Sequence, residues 1–231
     1  MFDNIVYLNR DIDTDRRALI EGQLSAHNIE AVRFAAIESG LQELIHQPLN
    51  ELRMVFAQAS CLISHLEIIR AYGDKDLLVF EDDIDLSTSL YWGTSFKDIV
   101  DCIDESVGIV QLTSFPSPIP VKPIKWVQGT FGTGAYLIRS WYAKSLVEKA
   151  FKDGKWDISL LESKYVQPLA DSILYSNGPS ISVTLFGLKP IKSTILPHAT
   201  YVETADMFGN SWKNGLNNTD SIKASLRLIK C

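Results

Sequence analysis

The sequence predicts an α/β fold in which a mostly parallel central sheet is flanked by helices. First, short apolar, β-rich runs alternate along the chain with longer segments of helical periodicity. Second, residues 76–80 form a run that is apolar on both faces, which is typical of a strand in the middle of a parallel sheet. Third, 231 residues with 46% hydrophobic and 22% charged side chains suffice for one full core. We therefore expect a single domain over residues 1–231.

The first elements follow the order strand, helix, strand. Residues 5–8 predict a buried strand, and Asp13 or Thr14 is suited to cap a helix that runs to about His27. Residues 31–36 predict a second strand. This order begins the layer found in nucleotide-binding proteins, although proteins without a nucleotide also use it.

Residues 50–72 give the clearest helical pattern, because apolar side chains recur at spacings of three and four until Gly73. The predicted strand at residues 76–80 follows and runs directly into an acidic segment. Later elements are predicted as a weaker helix at 95–103, a strand at 108–113, a strand at 131–138, a helix at 141–151 and a strand at 181–186. Four prolines at positions 116–123 exclude a regular helix or central strand, and we expect a functional loop there.

Composition excludes several classes of protein. The 28 acidic against 22 basic side chains give a net charge of −6, which disfavours a general nucleic-acid binder. No apolar run approaches the roughly 20 residues that span a bilayer. The N-terminal residues do not resemble a signal peptide, and three scattered cysteines indicate free thiols rather than a disulfide framework or zinc site. We therefore expect a cytoplasmic protein.

Four carboxylates, Glu81, Asp82, Asp83 and Asp85, lie within five positions directly after the predicted central strand. Like charges this close repel one another, and more strongly near a low-dielectric core. A solvated turn would accommodate them; alternatively, a divalent cation such as Mg²⁺ or Mn²⁺ offsets the repulsion and also binds a diphosphate. Their position favours the cation, because ligands gather at the carboxyl ends of strands in open α/β sheets.

At these residues the chain resembles glycosyltransferase family 25, the lipopolysaccharide-type galactosyl- and glucosyltransferases related to collagen galactosyltransferases. The matching segments occur in the family's order at residues 5–10 with 15–17, 33–37, 61–65, 78–83, 132–138 and 168–171. The resemblance covers about residues 4–175, and the chain after Asp171 matches poorly. It implies a Rossmann-like, nucleotide-sugar-binding fold of the GT-A type, a nucleotide-sugar donor, Mn²⁺ or Mg²⁺, and inversion at the anomeric carbon.

The residues and the resemblance together suggest metal ligands, donor-binding residues and a general base. Asp83 is the first candidate for metal contact, followed by Glu81 or Asp85, with His198 as a late ligand. The candidate donor-binding residues are Leu8, Asn9, Arg10, Arg16, Ser64, His65, Asp82, Gly132, Thr133 and Gly134.

Several of these residues also have a purely structural explanation. Asp171 is the candidate general base, although a helix N-cap would also explain it. His65, on the less apolar side of its helix, would also suit a hydrogen-bonded histidine between helix and sheet. Arg16 would equally suit a solvated pair with Asp13. A serine hydrolase is rejected, because Ser64 and His65 are adjacent on a helix and point about 100° apart.

The sequence thus predicts a metal-dependent inverting glycosyltransferase that moves a hexose, galactose or glucose, from a UDP-sugar to a glycan or lipid-linked glycan. Residues 1–115 would form the donor-binding half and 116–231 the acceptor side. Residues 221–231, with basic and apolar side chains, suit either an anionic membrane surface or a docked terminal helix. The alternatives are a nucleotidyltransferase or metal phosphoesterase, and a non-catalytic nucleotide-sugar-binding module.

Overall fold

The structure, a computed structural model, describes residues 4–91, 95–113, 124–128, 130–183 and 185–189. The strands within these ranges are β1 (Ile5–Asn9), β2 (Val32–Ala35), β3 (Leu77–Glu81), β4 (Ile84–Asp85), β5 (Ile109–Gln111), β6 (Ile124–Lys125), β7 (Ala135–Ile138), β8 (Phe151–Lys152), β9 (Lys155–Trp156), β10 (Ser180–Ser182) and β11 (Gly187–Leu188). The α-helices are α1 (Thr14–Ala26), α2 (Leu41–Leu44), α3 (Phe56–Tyr72), α4 (Phe96–Asp101), α5 (Ser140–Ala150) and α6 (Ala170–Ser176).

Seven strands form one central sheet in the order β2-β1-β3-β7-β5-β10-β6. β1 pairs in parallel with both β2 and β3, and β5 pairs in parallel with β10. β7 runs antiparallel to β3 and to β5, and β6 runs antiparallel to β10. Five of the seven strands therefore point the same way, which confirms the predicted mostly parallel α/β sheet.

Alternation along the strands divides the core between the two faces of the sheet. In β1, Val6 and Leu8 pack with α3, α5 and α6, whereas Ile5 and Tyr7 pack with α1 and α4. β3 follows the same rule, with alternate side chains in each of these two cores. We call them the α3 face and the α1 face. The polar residues at the ends of these strands, Asn9 and Glu81, follow the same alternation.

The long helix begins later than its apolar pattern predicts. Leu49–Leu52 is a 3-10 helix, and Arg53 then adopts the left-handed conformation with φ +54°. α3 begins at Phe56, where the Gln58 side chain accepts a hydrogen bond from the N–H of Val55. Gly73 follows the last helical residue, as predicted. Periodicity does not detect a left-handed residue, and the predicted start at residue 50 was therefore wrong.

The predicted strand at residues 131–138 is also shorter, since β7 starts at Ala135. Gly132 has φ +112°, a conformation that excludes most other residues, and a Cβ on Gly134 would lie 2.9 Å from the Leu188 side chain. The remaining predicted elements in the described ranges are confirmed with shifted ends, the largest change being the strand at 181–186, which is reduced to β10.

Some predictions lie outside the described residues: the proline-rich loop, His198 and the basic segment at 221–231. Among the described helices, none combines the length and apolar character needed to cross a bilayer. The proposed division into a donor-binding half and an acceptor-side half stays a prediction.

Candidate functional site

The predicted site residues gather at one edge of the central sheet. This edge is formed by the carboxyl ends of β1, β3 and β5 and by the residues that lead into the antiparallel β7. Neighbouring segments are tied together there: the N–H of Glu81 donates to the carbonyl of Gly134 at 2.7 Å, and that of Ala135 donates to Thr113 Oγ1 at 3.0 Å. The predicted residues therefore lie together at the carboxyl ends of the parallel strands, and their roles stay predictions.

A pocket of about 190 Å³ opens at this edge, between β1, β3 and α3. It is lined by six of the predicted donor-binding residues, namely Leu8, Asn9, Arg10, Arg16, Ser64 and Asp82, and by Glu81. It is also lined by residues that the sequence did not single out, among them Asp13, Glu38, Phe56 and Cys61. Ligand sites commonly measure about 300–1,000 Å³, so this pocket alone would hold part of a nucleotide-sugar.

Polar side chains that meet around Asp82 and Arg16 form a first group, which we call the outer cluster: Asn9, Arg16, Asp82 and Asp83. Asn9 Nδ2 donates to Asp82 Oδ2 at 2.7 Å, and Arg16 Nε donates to Asp82 Oδ1 at 2.7 Å. Arg16 Nη2 contacts Asp82 Oδ1 as well and lies 3.3 Å from Asp83 Oδ2. Asp82 is buried, and both of its oxygens are already occupied by protein donors.

Asp83 is less well compensated than its neighbour. Burial and the negative charge of Glu81 raise the pKa of Asp83 to about 7, although Arg16 acts in the opposite direction. Asp83 Oδ1 is buried and has no hydrogen-bond partner among the described residues. The charged form of Asp83 is thus incompletely satisfied within the described part of the chain.

These residues fit a hard divalent cation. Two carboxylates after β3, those of Asp82 and Asp83, share one guanidinium, that of Arg16, and Asp83 Oδ1 has no donor among the described residues. Mg²⁺ and Mn²⁺ prefer oxygen ligands of this type and commonly bind through one or two carboxylates together with phosphate oxygens.

Asp85 has different surroundings from Asp83. It lies in β4, after the chain turns at residues 82 and 83, and its Oδ1 is 2.9 Å from Lys189 Nζ. The N–H of Ser87 also donates to Oδ1 at 3.0 Å. Burial alone would raise the pKa of Asp85, but Ser87 and Lys189 outweigh it and hold the pKa below its usual range. The structure therefore pairs Asp85 with a lysine, whereas Asp83 shares Arg16 with Asp82.

A second group, the inner cluster, lies on the α3 face and comprises Cys61, His65, Glu81, Thr133 and Tyr136. His65 Nε2 is 3.1 Å from Glu81 Oε1, and His65 Nδ1 is 3.1 Å from the Tyr136 hydroxyl. Thr133 Oγ1 donates to Glu81 Oε1 at 2.5 Å. Burial by itself would raise the pKa of Glu81, but its bonds with His65 and Thr133 outweigh burial and lower it. The structure thus puts His65 between helix and sheet.

Ser64, the neighbour of His65, is fully buried as well. Ser64 Oγ donates to the carbonyl of Ser60 at 2.7 Å and accepts from the N–H of Ile37 at 2.9 Å. Its hydroxyl therefore ties α3 to the segment that follows β2, in the wall of the pocket.

The glycine segment before β7 contacts Asp171 from the start of α6. The N–H of Gly132 donates to Asp171 Oδ2 at 3.2 Å, and the N–H of Ser172 donates to Oδ1 at 2.7 Å. Burial raises the pKa of Asp171, with these two backbone donors opposing the shift. Asp171 is the second residue of α6, and the N-cap is Leu169. The Gly132 carbonyl is held by Gln111 Nε2 at 2.9 Å and the Tyr175 hydroxyl at 3.2 Å.

Cys61 and Tyr136 were not predicted as site residues. Cys61 lies four positions before His65, a spacing that brings both side chains to one face of a helix. Tyr136 lies on the α3 face by strand alternation, opposite that helix. These two signals are in the sequence, but they become informative only when the neighbouring element is known.

The family model described as Glycosyltransferase family 25 (LPS biosynthesis protein) matches residues 3–158, which is more than half of the chain. A search of curated proteins finds no match. Among solved structures, the chain is similar to a crystal structure of a glycosyltransferase involved in the glycosylation of the major capsid of PBCV-1, with 10% identity, a TM-score of 0.44, and coverage of 91% of this chain and 98% of that chain.

The family match over residues 3–158 defines an enzyme that transfers sugars, built here on a mostly parallel α/β sheet. A sugar donor and a glycan acceptor follow from that class. The chain belongs to glycosyltransferase family 25.

Proposed function

We propose that this glycosyltransferase depends on Mn²⁺ or Mg²⁺, uses a UDP-sugar, and transfers galactose or glucose to a glycan with inversion of the anomeric carbon. The observation that carries the proposal is the state of Asp83, a partly buried carboxylate with a raised pKa and a buried oxygen that has no donor in the described part of the chain. It lies beside Asp82, which lines the pocket. A site of this kind accommodates positive charge next to a bound diphosphate.

Asp83 would hold the cation, with Glu81, Asp85 and His198 as further candidates. Asp83 is favoured over its two acidic neighbours because Glu81 is engaged by His65 and Thr133, and Asp85 is engaged by Lys189. When bound, the cation would supply positive charge for the departing diphosphate.

The remaining residues would bind and orient the donor. Arg16 would contact diphosphate oxygens while it keeps Asp82 and Asp83 in place, since its guanidinium carries several donors in a fixed plane. Asn9 and Arg10 follow β1 and line the pocket, where they would meet the ribose or the base. Asp82 would hold Asn9 and Arg16 in position through its hydrogen bonds with them. The Gly132–Gly134 backbone would allow close approach of the donor sugar.

The reaction would be a direct displacement. An acceptor hydroxyl oxygen forms a bond to the anomeric carbon as the bond from that carbon to the UDP oxygen breaks, and UDP leaves with that electron pair. The hydroxyl proton passes to a carboxylate oxygen of Asp171, the proposed general base. Its raised pKa brings this carboxylate nearer to neutral pH, which suits a base.

Ligand-dependent melting tests the donor and the metal together. A bound ligand raises apparent stability by mass action, so UDP-galactose or UDP-glucose should raise the melting temperature in Mn²⁺, and less in EDTA. Release of UDP, with retained hexose on an added glycan, then separates a transferase from a phosphoesterase or nucleotidyltransferase. Donor binding without UDP release under any acceptor would instead indicate a non-catalytic module. GDP- and CMP-sugars are the controls for nucleotide choice.

Asp171→Asn tests the base. The amide keeps an oxygen that accepts from Gly132 but cannot take a proton, so kcat should fall by about 100-fold or more while UDP-sugar binding persists. Loss of binding together with kcat would assign Asp171 to positioning of the glycine segment.

The acceptor would be a glycan or lipid-linked glycan, and residues 221–231 would provide any contact with a membrane surface.

A further inference from the structure

The geometry points to a second cation site, which we propose is a site for thiophilic divalent cations of the Zn²⁺ class formed by Cys61, His65 and Glu81. The sulfur of Cys61, a ring nitrogen of His65 and a carboxylate oxygen of Glu81 all lie within 4.8 Å of one another. This proposal concerns the inner cluster and depends neither on the donor nor on the metal discussed for Asp83.

The chain delivers these ligands from two rigid elements. Cys61 and His65 are four residues apart in α3, so both side chains project from the same side of the helix. Glu81 ends β3, which packs beneath α3. The spacing of the three cysteines predicts no zinc site. Two of the proposed ligands are not cysteines, and one of these, Glu81, lies 16 residues after His65.

The distances suit an ion of this size. In tetrahedral coordination with Zn–N and Zn–O bonds near 2.0–2.2 Å, the nitrogen and oxygen ligands are about 3.3 Å apart, and sulfur is about 3.5 Å from either. His65 Nε2 and Glu81 Oε1 are already 3.1 Å apart. The sulfur needs to approach the other two ligand atoms by at most about 1.3 Å, which requires a rotation of the Cys61 side chain about χ1.

The surrounding side chains support the ligands as outer partners do in zinc proteins. The Tyr136 hydroxyl is 3.1 Å from His65 Nδ1, which leaves Nε2 directed at Glu81. Thr133 donates to the carboxylate of Glu81 and fixes its orientation. Such partners orient metal ligands and strengthen binding by about 10–100-fold.

Without a cation, the inner cluster carries a neutral thiol. Burial raises the pKa of Cys61 well above its usual value, and the charges of Glu81 and Asp171 add to that shift. A bound Zn²⁺ would displace the thiol proton to solvent, as metal binding to cysteine requires. A hard cation such as Mn²⁺ has little preference for sulfur, so the two cation sites would differ in metal selectivity.

Cys61 and Glu81 both line the pocket, so occupancy of the inner cluster has a consequence for the enzyme. The ion would draw the thiol and the carboxylate together at the pocket wall. We expect Zn²⁺ at micromolar concentration to lower transfer in the presence of excess Mn²⁺.

Cobalt(II) binding tests the site without an activity assay. Co²⁺ added to the purified full-length protein should produce the near-ultraviolet charge-transfer band of a cobalt–thiolate bond at one ion per chain, and Zn²⁺ should abolish it. Excess Mn²⁺ should leave the band intact. Cys61→Ser should lose the band, and His65→Gln should weaken cobalt binding by at least about tenfold. Circular dichroism and urea unfolding would verify that each variant is folded.

Cys102→Ser is the matched control, because Cys102 is the other free thiol in the described ranges and lies after α4. It should keep the band, and Asp83→Asn should keep it as well. Should Cys61→Ser fail to fold, Tyr136→Phe replaces it, with an expected 10–100-fold loss of cobalt affinity. The proposal is overturned by absence of the band in the wild type, by its persistence in Cys61→Ser, or by unchanged affinity in Tyr136→Phe.

Discussion

The outer and inner clusters are built on the same strand end, yet they satisfy their charges in different ways. In the inner cluster, Glu81 is held by a histidine and a hydroxyl, and its pKa is lowered. In the outer cluster, Asp82 and Asp83 share the single guanidinium of Arg16, and the pKa of Asp83 is raised. Glu81 and Asp82 differ because strand alternation sends their side chains to opposite sides of the sheet, whereas Asp83 lies in the turn after β3 and meets Arg16 from there.

This difference separates a closed network from an open one. Each ring nitrogen of His65 has a partner, so in the metal-free protein the His65 ring and the Glu81 carboxylate satisfy each other with protein groups alone. The outer cluster keeps a buried carboxylate oxygen without a donor among the described residues. An open, negatively charged group at a sheet edge is where a cation and a diphosphate would add the most stabilisation.

The largest effect is expected from Asp83→Asn. The amide keeps the shape of the side chain but removes the charge that would hold the cation, and metal-assisted charge stabilisation amounts to several kcal/mol. Transfer of hexose should therefore fall by at least about 1,000-fold at saturating Mn²⁺, since about 1.4 kcal/mol corresponds to a factor of ten. Initial rates of UDP release measure this loss.

Asp101→Asn is the control for this change, because it also converts an acid to its amide, in an exposed pair with Lys97. It should alter the rate by less than about twofold. The metal-free Asp83→Asn protein should be at least as stable as the wild type at pH 8, because the native fold disfavours the charged form of Asp83. Retained turnover in Asp83→Asn would remove this residue from the cation site.

Arg16→Lys should have the next largest effect. Lysine keeps the positive charge but cannot bridge Asp82 and Asp83 as the guanidinium does. Because hydrogen bonds to charged groups contribute about 1.5–3 kcal/mol each, kcat/KM for the donor should fall by about 10–100-fold. Arg17→Lys, at the adjacent position in an exposed pair with Glu21, should stay within about twofold of the wild type. Equal effects at both positions would deny Arg16 a special role.

The sequence could predict the position of the outer cluster but not its internal state. Asn9 and the acids after β3 follow two strands, and the carboxyl ends of parallel strands meet at one edge, so their proximity was foreseeable. Arg16 joins them because α1 begins five residues after β1 ends, so its first turn lies at the same edge. Which acid would share a donor and which would lack one depends on distances of a few tenths of an ångström, and no pattern of residue types carries that information.

The inner cluster and the Gly132–Asp171 contact were harder to predict. Glu81 and Thr133 are 52 residues apart, and Gly132 and Asp171 are 39 apart, so each contact requires the full topology of the sheet. The predicted start of α3 was wrong for a local reason. Arg53 adopts a left-handed conformation, which its residue type does not indicate.

The titration of Asp83 gives a pH dependence of intermediate size. Its folded-state pKa of about 7 exceeds its usual value, so the native state binds a proton that the unfolded state releases. In EDTA, the free energy of unfolding of the wild type should therefore fall as the pH rises from about 4 to 7, relative to Asp83→Asn. Urea unfolding of both proteins across this range tests the sign. Mn²⁺ affinity should weaken by up to about tenfold per pH unit below 7, because the proton competes with the ion.

The smallest effect is expected on the inner face. Tyr136→Phe removes one hydroxyl from a fully buried side chain and leaves His65 Nδ1 without that partner. A lost buried hydrogen bond costs about 1 kcal/mol, so urea unfolding should show a decrease of about that size, with hexose transfer reduced by less than about threefold. Tyr72→Phe is the control, because it removes a tyrosine hydroxyl from a partly exposed ring outside both clusters and should change stability by less than about 0.5 kcal/mol. If Tyr136→Phe abolished transfer while the protein stayed folded, the inner cluster would belong to the catalytic machinery. The two clusters would then differ in metal selectivity and not in their importance for transfer.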